Sequence, residues 1–246
     1  MGGLLAAIQF LTRFPVRSRG EYALGSGLVW MPVVGLGLGV VLALIDAALR
    51  WIGVPSLLDC AILIAALLLM TGGLHADGLI DTCDAVFVHA TPERRLEIMR
   101  DPHVGAFGVI GLASVLLLKV TALDALPGLT RAQLLVVAPT VGRWAIVVLA
   151  TAFPYGRAAG LGAPLKASAT PRVLLISSLV PVVIAVVMGV VGVVAAAVAI
   201  VGAYLLARWL VRLLPGLTGD CYGAACELTE TLVWLTGALL VPRMAQ

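Results

Sequence analysis

The chain has 246 residues, 61% of them hydrophobic and 12% charged, with a mean hydropathy of +1.11. Soluble domains carry about 25% charged residues, so a water-soluble fold is excluded and an integral membrane protein is indicated. The net charge of +3 gives no sign of a nucleic-acid partner, and the long Leu, Val and Ala runs favour membrane helices over a closed barrel.

At the start, Leu4, Leu5, Ile8 and Leu11 recur at helical spacing ahead of Pro15. This predicts a short helix lying along the membrane interface. Its positive charges follow the apolar stretch, unlike those of a signal peptide, and Ala6 breaks a myristoylation pattern. Spans are then predicted at about 28–49, 57–73, 106–124, 132–152, 173–190, 191–210 and 228–242, seven in all, with the last one short. Gly35, Gly37 and Gly39 lie inside an apolar run with no strand before them, so they read as a helix-packing surface and not a nucleotide loop. Gly189 and Gly192 mark the turn within the long run from Val173 to Leu214. The whole chain, 1–246, is expected to be one all-α membrane domain, with no separate soluble unit.

Charge along the chain is uneven. With the N-terminus inside, Arg13, Arg17, Arg19, Arg94, Arg95, Arg100, Arg157, Lys166, Arg172, Arg208 and Arg212 fall on the cytoplasmic side. Only Arg50, Arg131 and Arg243 fall opposite, so the expected orientation in the cell (inner) membrane is N-in and C-out. The polar stretches Phe14–Gly27, His75–Gly105, Phe153–Arg172 and Pro215–Glu230 then share the cytoplasmic side. Cys60, Cys83, Cys221 and Cys226 have no CxxC spacing and are expected to be free thiols.

The second span runs directly into Gly72-Gly73-Leu74-His75-Ala76-Asp77-Gly78-Leu79-Ile80-Asp81-Thr82-Cys83-Asp84. Asp77, Asp81 and Asp84 at i, i+4 and i+7 fall on one helix face. Carboxylates so placed suit a hard cation such as magnesium, completed by waters and substrate phosphates. The rise of about 1.5 Å per residue separates the outer two by about 10 Å, which favours two ions, or one ion and a general base. His75 is expected to serve as a cap or an outer donor. Arg94 and Arg95 read as a juxtamembrane basic patch facing lipid headgroups. Further on, Arg100 and Asp101, hemmed by Pro102 and Gly105, read as a phosphate-binding turn, with the glycine allowing close backbone approach. Lys119, near the outer end of its span, is expected to snorkel outward without a role. Arg143, deep in the fourth span, must find a partner, either in a structural ion pair or as an anion contact. Asp220 and Glu227 repeat the seven-residue spacing and could complete the metal site, whereas for Glu230 a capping or loop role suffices.

Four stretches carry a family resemblance: Phe10-Leu11-Thr12-Arg13-Phe14-Pro15, the cluster from Gly72 to Asp84, Met99-Arg100-Asp101 leading to Gly105-Ala106-Phe107-Gly108, and Gly219-Asp220-Cys221-Tyr222-Gly223-Ala224 with Glu227 after it. Over nearly its whole length the chain resembles the cobalamin synthase family of membrane-embedded ribazoletransferases. The segment Arg157–Gly162 matches more weakly, and Ala76 stands where the family pattern has a larger apolar residue. The resemblance implies transfer of adenosylcobinamide phosphate from adenosylcobinamide-GDP to the ribose 3′-hydroxyl of α-ribazole or its 5′-phosphate, releasing GMP and requiring Mg2+. It implies magnesium at Asp77, Asp81 and Asp84, and a base drawn from Asp81, Asp84 or Glu227. The resemblance implies GDP phosphates at Arg100, and His75, Asp101, Gly105, Arg143 and Asp220 are expected as further substrate contacts. A phospholipid-type CDP-alcohol phosphotransferase also uses an aspartate-rich helix, but its Asp-Gly-x-x-Ala-Arg element is absent, since Asp81-Thr82 follows Ile80. An ion-coupled transporter would spread acids near the midplane, whereas here they gather at one face. Homo-oligomerisation is left open.

Overall fold

Apolar runs of these lengths fold as helices because backbone polarity must be satisfied within each segment, and the computed structural model is all-helical. It describes residues 2–15, 23–157, 159–160 and 162–244, with side chains described to 241. Arg17, Arg19, Ala158, Leu161 and the side chain of Arg243 lie outside those limits.

The predicted N-terminal helix forms as α1 (Gly2–Leu11). A 3-10 segment, Leu24–Trp30, runs straight into α2 (Met31–Trp51), whose Pro32 occupies the first turn, where a missing N–H costs nothing. Then follow α3 (Ser56–Thr71), α4 (Leu74–Val86), α5 (Pro92–Ile98), α6 (Ala106–Asp124) and α7 (Gly128–Ala152). The last four are α8 (Gly162–Ser168), α9 (Pro171–Val187), α10 (Gly189–Leu213) and α11 (Gly219–Met244). Among the described residues, five helical segments are long and apolar enough to cross a membrane, and up to seven if the bent pairs α3–α4 and α8–α9 each count as one span.

Gly72 and Gly73 both have positive φ, at 62° and 71°, and together turn α4 by 93° from α3. Two successive left-handed residues are costly for anything but glycine. Because α4 runs across the line of α3, it does not continue that span. Gly189, at φ 77°, makes the tight turn expected between α9 and α10.

The last span is not short: α11 begins at Gly219, nine residues before the predicted boundary at 228. Asp220, Glu227 and Glu230 therefore lie on the helix and not in a loop ahead of it. Their charges lower the apparent hydropathy of its first half, although that half is buried against other helices.

At the centre, α7 touches α2, α9, α10 and α11. Gly35 and Gly39 pack directly on its backbone: a Cβ on Gly39 would lie 2.7 Å from the Leu135 carbonyl oxygen, and one on Gly35 would collide with that of Pro139. Gly37 faces open space. The packing reading of these glycines holds, carried by the Gly35/Gly39 pair at four-residue spacing.

The helices alternate, so two polar ends form. One end gathers Asp46, Asp59 and Arg131: Arg131 Nε lies 2.8 Å from the Asp46 carboxylate and its Nη2 2.9 Å from that of Asp59, with Arg50 nearby. The other end brings together the start of α6, the end of α7, the start of α11 and the whole of α4.

Candidate functional site

At that second end, α4 and α11 cross closely. A Cβ on Gly78 would meet the Asp220 backbone at 2.8 Å, and one on Gly223 the His75 carbonyl oxygen at 3.1 Å. Small residues thus bring the two acidic segments together across more than 130 positions of sequence. A cavity of about 100 Å³ opens beside the crossing, lined by Phe10, Leu74, His75, Asp77, Asp220 and Tyr222 among others. A wider cavity of about 840 Å³, lined by Arg13, Thr71, Gly72 and Ile80, shares Phe10, Leu74 and Asp77 with the first. Asp77, exposed, stands in the wall between them.

Asp220 comes from the loop–helix junction that opens α11. Its loop is tied to the one following α7 by backbone hydrogen bonds: Gly156 N–H donates to the Leu217 carbonyl at 2.8 Å, and Leu217 N–H to that of Pro154 at 2.9 Å. Gly216 and Gly156 allow the close approach. This tie brings Arg157 to 2.9 Å from the Asp220 carboxylate. Arg157 had only a weak family match as its signal, yet it supplies a positive charge among the clustered acids.

Asp81 lies one turn beyond Asp77, half-buried, with no hydrogen bond or ion pair among the described residues. Burial, followed by the nearby Asp220 and Asp77 carboxylates and then Asp84, pushes its carboxyl up to about 7, only partly opposed by Arg157. The site therefore holds more negative charge than its own residues neutralise.

Asp84 is placed differently. One of its oxygens accepts the Gly105 N–H and the other the Gly108 N–H, both at 2.8 Å, so it caps the N-terminus of α6 from α4. Gly105 thus meets Asp84. Arg100 and Asp101 lie exposed beyond α5 and line neither cavity. Asp101 accepts hydrogen bonds from the His103 backbone N–H at 3.0 Å and pairs with its ring Nδ1 at 2.7 Å, which holds its carboxyl below the usual range. Arg95, expected to face lipid headgroups, is instead buried. Its Nη1 donates to the Ala85 and Val86 carbonyls, both at 2.6 Å, closing the C-terminus of α4. Arg94 is exposed and pairs with Glu97.

Beneath the cavity is a buried ionic group that sequence reasoning missed in part. Lys119 does not snorkel: its Nζ lies 2.5 Å from Glu227 and 2.6 Å from Glu230, with the ring of Trp234 5.4 Å away. Arg143 pairs with the other oxygen of Glu230, and its Nη2 approaches His75 Nδ1 at 3.4 Å. Glu230, read as a loop residue, holds both cations. Glu227 faces Lys119 and not the cavity.

Among the described residues, no group of three His, Cys, Asp or Glu side chains is already drawn together as a metal cage. Magnesium needs no such cage: one or two carboxylates, waters and substrate phosphates suffice. Asp77 and Asp220, on one cavity with the under-neutralised Asp81 beside them, fit that requirement.

Helices of membrane length folded around an acidic centre at one end define a polytopic membrane enzyme. Residues 3–238 match the family model described as cobalamin-5-phosphate synthase, and the chain belongs to that family. The adenosylcobinamide-GDP ribazoletransferase of Pseudomonas fluorescens is 43% identical over 241 residues, covering 95% of this chain and 97% of its own length. Its namesake from Desulforamulus reducens is 38% identical over 238 residues, covering 94% and 93%. A third, from Synechococcus elongatus, is 37% identical over 239 residues, covering 95% and 94%. No solved structure matches the chain.

Proposed function

We propose that the acidic end of the bundle transfers the adenosylcobinamide-phosphate group of adenosylcobinamide-GDP to α-ribazole, or to its 5′-phosphate, with release of GMP. The observation that carries this reading is the shared cavity of Asp77 and Asp220, with Asp81 beside it, in a chain of this family. In the transfer, the ribose 3′-oxygen forms a bond to the phosphorus next to the cobinamide. The bond from that phosphorus to the bridging oxygen breaks, and the oxygen leaves with GMP. The hydroxyl proton must go to a base.

Of the acids read as catalytic, Asp84 accepts two backbone N–H groups and Glu227 is sealed against Lys119. Asp81 has neither commitment, so it takes the proton. Asp77 and Asp220 would hold Mg2+, which when bound supplies neutralisation of the pyrophosphate charge. Arg157 orients the Asp220 carboxylate and limits repulsion among the acids. Because Asp77 borders both cavities, a pyrophosphate held there is within reach of both. Substrate positioning then provides much of the rate, as is general for phosphoryl transfer.

Purified protein supplied with adenosylcobinamide-GDP and α-ribazole is expected to release GMP only with a divalent cation. Undiminished turnover in excess chelator would remove the metal from the mechanism.

Orientation follows from the charge bias. The acidic end also carries Arg13, Arg94, Arg95, Arg157 and Lys166, and this positive bias supports a cytoplasmic placement. All four native cysteines are buried, so a Glu93→Cys variant offers one new accessible thiol. In sealed cells it should resist an impermeant maleimide and react after lysis. Labelling from outside would reverse the topology.

A further inference from the structure

Two nearly fully buried polar groups at this cavity have no hydrogen-bond partner among the described residues: His75 Nε2, on a residue 3% exposed, and the Tyr222 hydroxyl, on a residue 2% exposed. Both residues line the cavity with Asp77 and Asp220. His75 comes from α4 and Tyr222 from α11, on either side of the crossing at Gly78 and Gly223. A buried donor without an acceptor costs stability, so folded proteins leave few of them unpaired.

The hydrogen on His75 is fixed by its neighbour. Arg143 carries only N–H donors, so its 3.4 Å contact makes Nδ1 the acceptor and leaves the ring proton on Nε2. Arg143 is itself held by Glu230, which also binds Lys119. The ion-pair group thus sets both the tautomer and the direction of the imidazole. An Nε2 that bears hydrogen cannot ligate a metal, and a tyrosine O–H also offers a hydrogen. What these groups need is an oxygen acceptor that brings its own negative charge.

We propose that His75 Nε2–H and Tyr222 O–H form a neutral two-donor clamp on the non-bridging oxygens of the phosphoryl group under transfer. The proposal rests on the reading of this cavity as the transfer site. Being uncharged, the clamp does not compete with a cation that Asp77 and Asp220 would hold. It strengthens as charge shifts on those oxygens in the transition state. His75 is thereby a hydrogen-bond donor and not the base, and Arg143 is a positioning residue.

The test uses full-length protein with Tyr222→Phe, His75→Phe and His75→Gln, reading GMP release and thermal unfolding together. Tyr222→Phe should lower kcat by about 10- to 100-fold with little change in KM for α-ribazole, and its unfolding temperature should stay level or rise. His75→Phe should lose kcat similarly. His75→Gln, which restores an N–H and offers Arg143 an amide oxygen, should recover most of it. Parent-like turnover of Tyr222→Phe, or an activity loss matched by lost stability, would overturn the clamp, as would His75→Gln no better than His75→Phe. Should His75→Phe not fold, Tyr222→Phe decides. An Asp81→Asn control separates the two ideas: if it is inactive while the clamp variants are normal, only the clamp fails; if it is normal, the site reading itself fails.

Discussion

Asp81→Asn should cut kcat by about a thousandfold, within the range general-base catalysis supplies, while the protein remains folded in the membrane. The fold should not suffer, because burial and neighbouring carboxylates raise the Asp81 carboxyl to about 7. For an acid, a raised value means that ionisation at neutral pH works against the folded state, so a neutral amide of the same shape removes that penalty. Thermal unfolding should be level or higher. The role is separable from metal binding: Asp77→Asn and Asp220→Asn should raise the Mg2+ concentration needed for half-maximal rate, whereas Asp81→Asn should leave it nearly unchanged. Normal turnover in Asp81→Asn would reduce the aspartate stripe to a structural feature.

Lys119→Met should be strongly destabilising. Lys119 and Arg143 balance Glu227 and Glu230 in a group that is almost completely buried. Removing one cation leaves two carboxylates with one partner, a situation that costs about 3–5 kcal/mol in buried pairs. The variant should unfold at markedly lower temperature in detergent or fail to accumulate in membranes. Adding Glu227→Gln should recover much of the loss, since one cation and one carboxylate then remain. Parent-like stability in Lys119→Met would show that the group contributes little to the fold.

The helical class and most boundaries were legible because long apolar runs dominate the chain. The predicted span 106–124 coincides with α6, and Gly189 turns where its conformational freedom allows. Failures came where a residue's fate depends on distant partners. Lys119 was judged from its place in its own span, but its carboxylates lie 108 and 111 positions away. The same partners hid the start of α11, since acids that are neutralised inside the bundle look like loop residues when counted by hydropathy. In the site, helical spacing grouped Asp77, Asp81 and Asp84. It could not show that the α6 N-terminus, with glycines at 105 and 108, approaches only the last of the three. Asp220 was recognisable as acidic and near a glycine. Its meeting with Asp77 depended on the crossing of Gly78 and Gly223, and its pairing with Arg157 on a backbone tie between two loops.

The ion-pair group also has a consequence for how the chain is made. Synthesis runs from the N-terminus, so α6 and α7 emerge well before the carboxylates that neutralise them. On insertion scales a lone Arg deep in a helix costs about 2.5–3.5 kcal/mol, a debt that Arg143 leaves with the nascent chain through α8, α9 and α10. Only the final helix removes it, and that same helix delivers Asp220 and Tyr222 to the cavity. Interrupted translation products would thus be both inert and marked by unmatched charge in the bilayer, the kind of defect that membrane quality control can recognise.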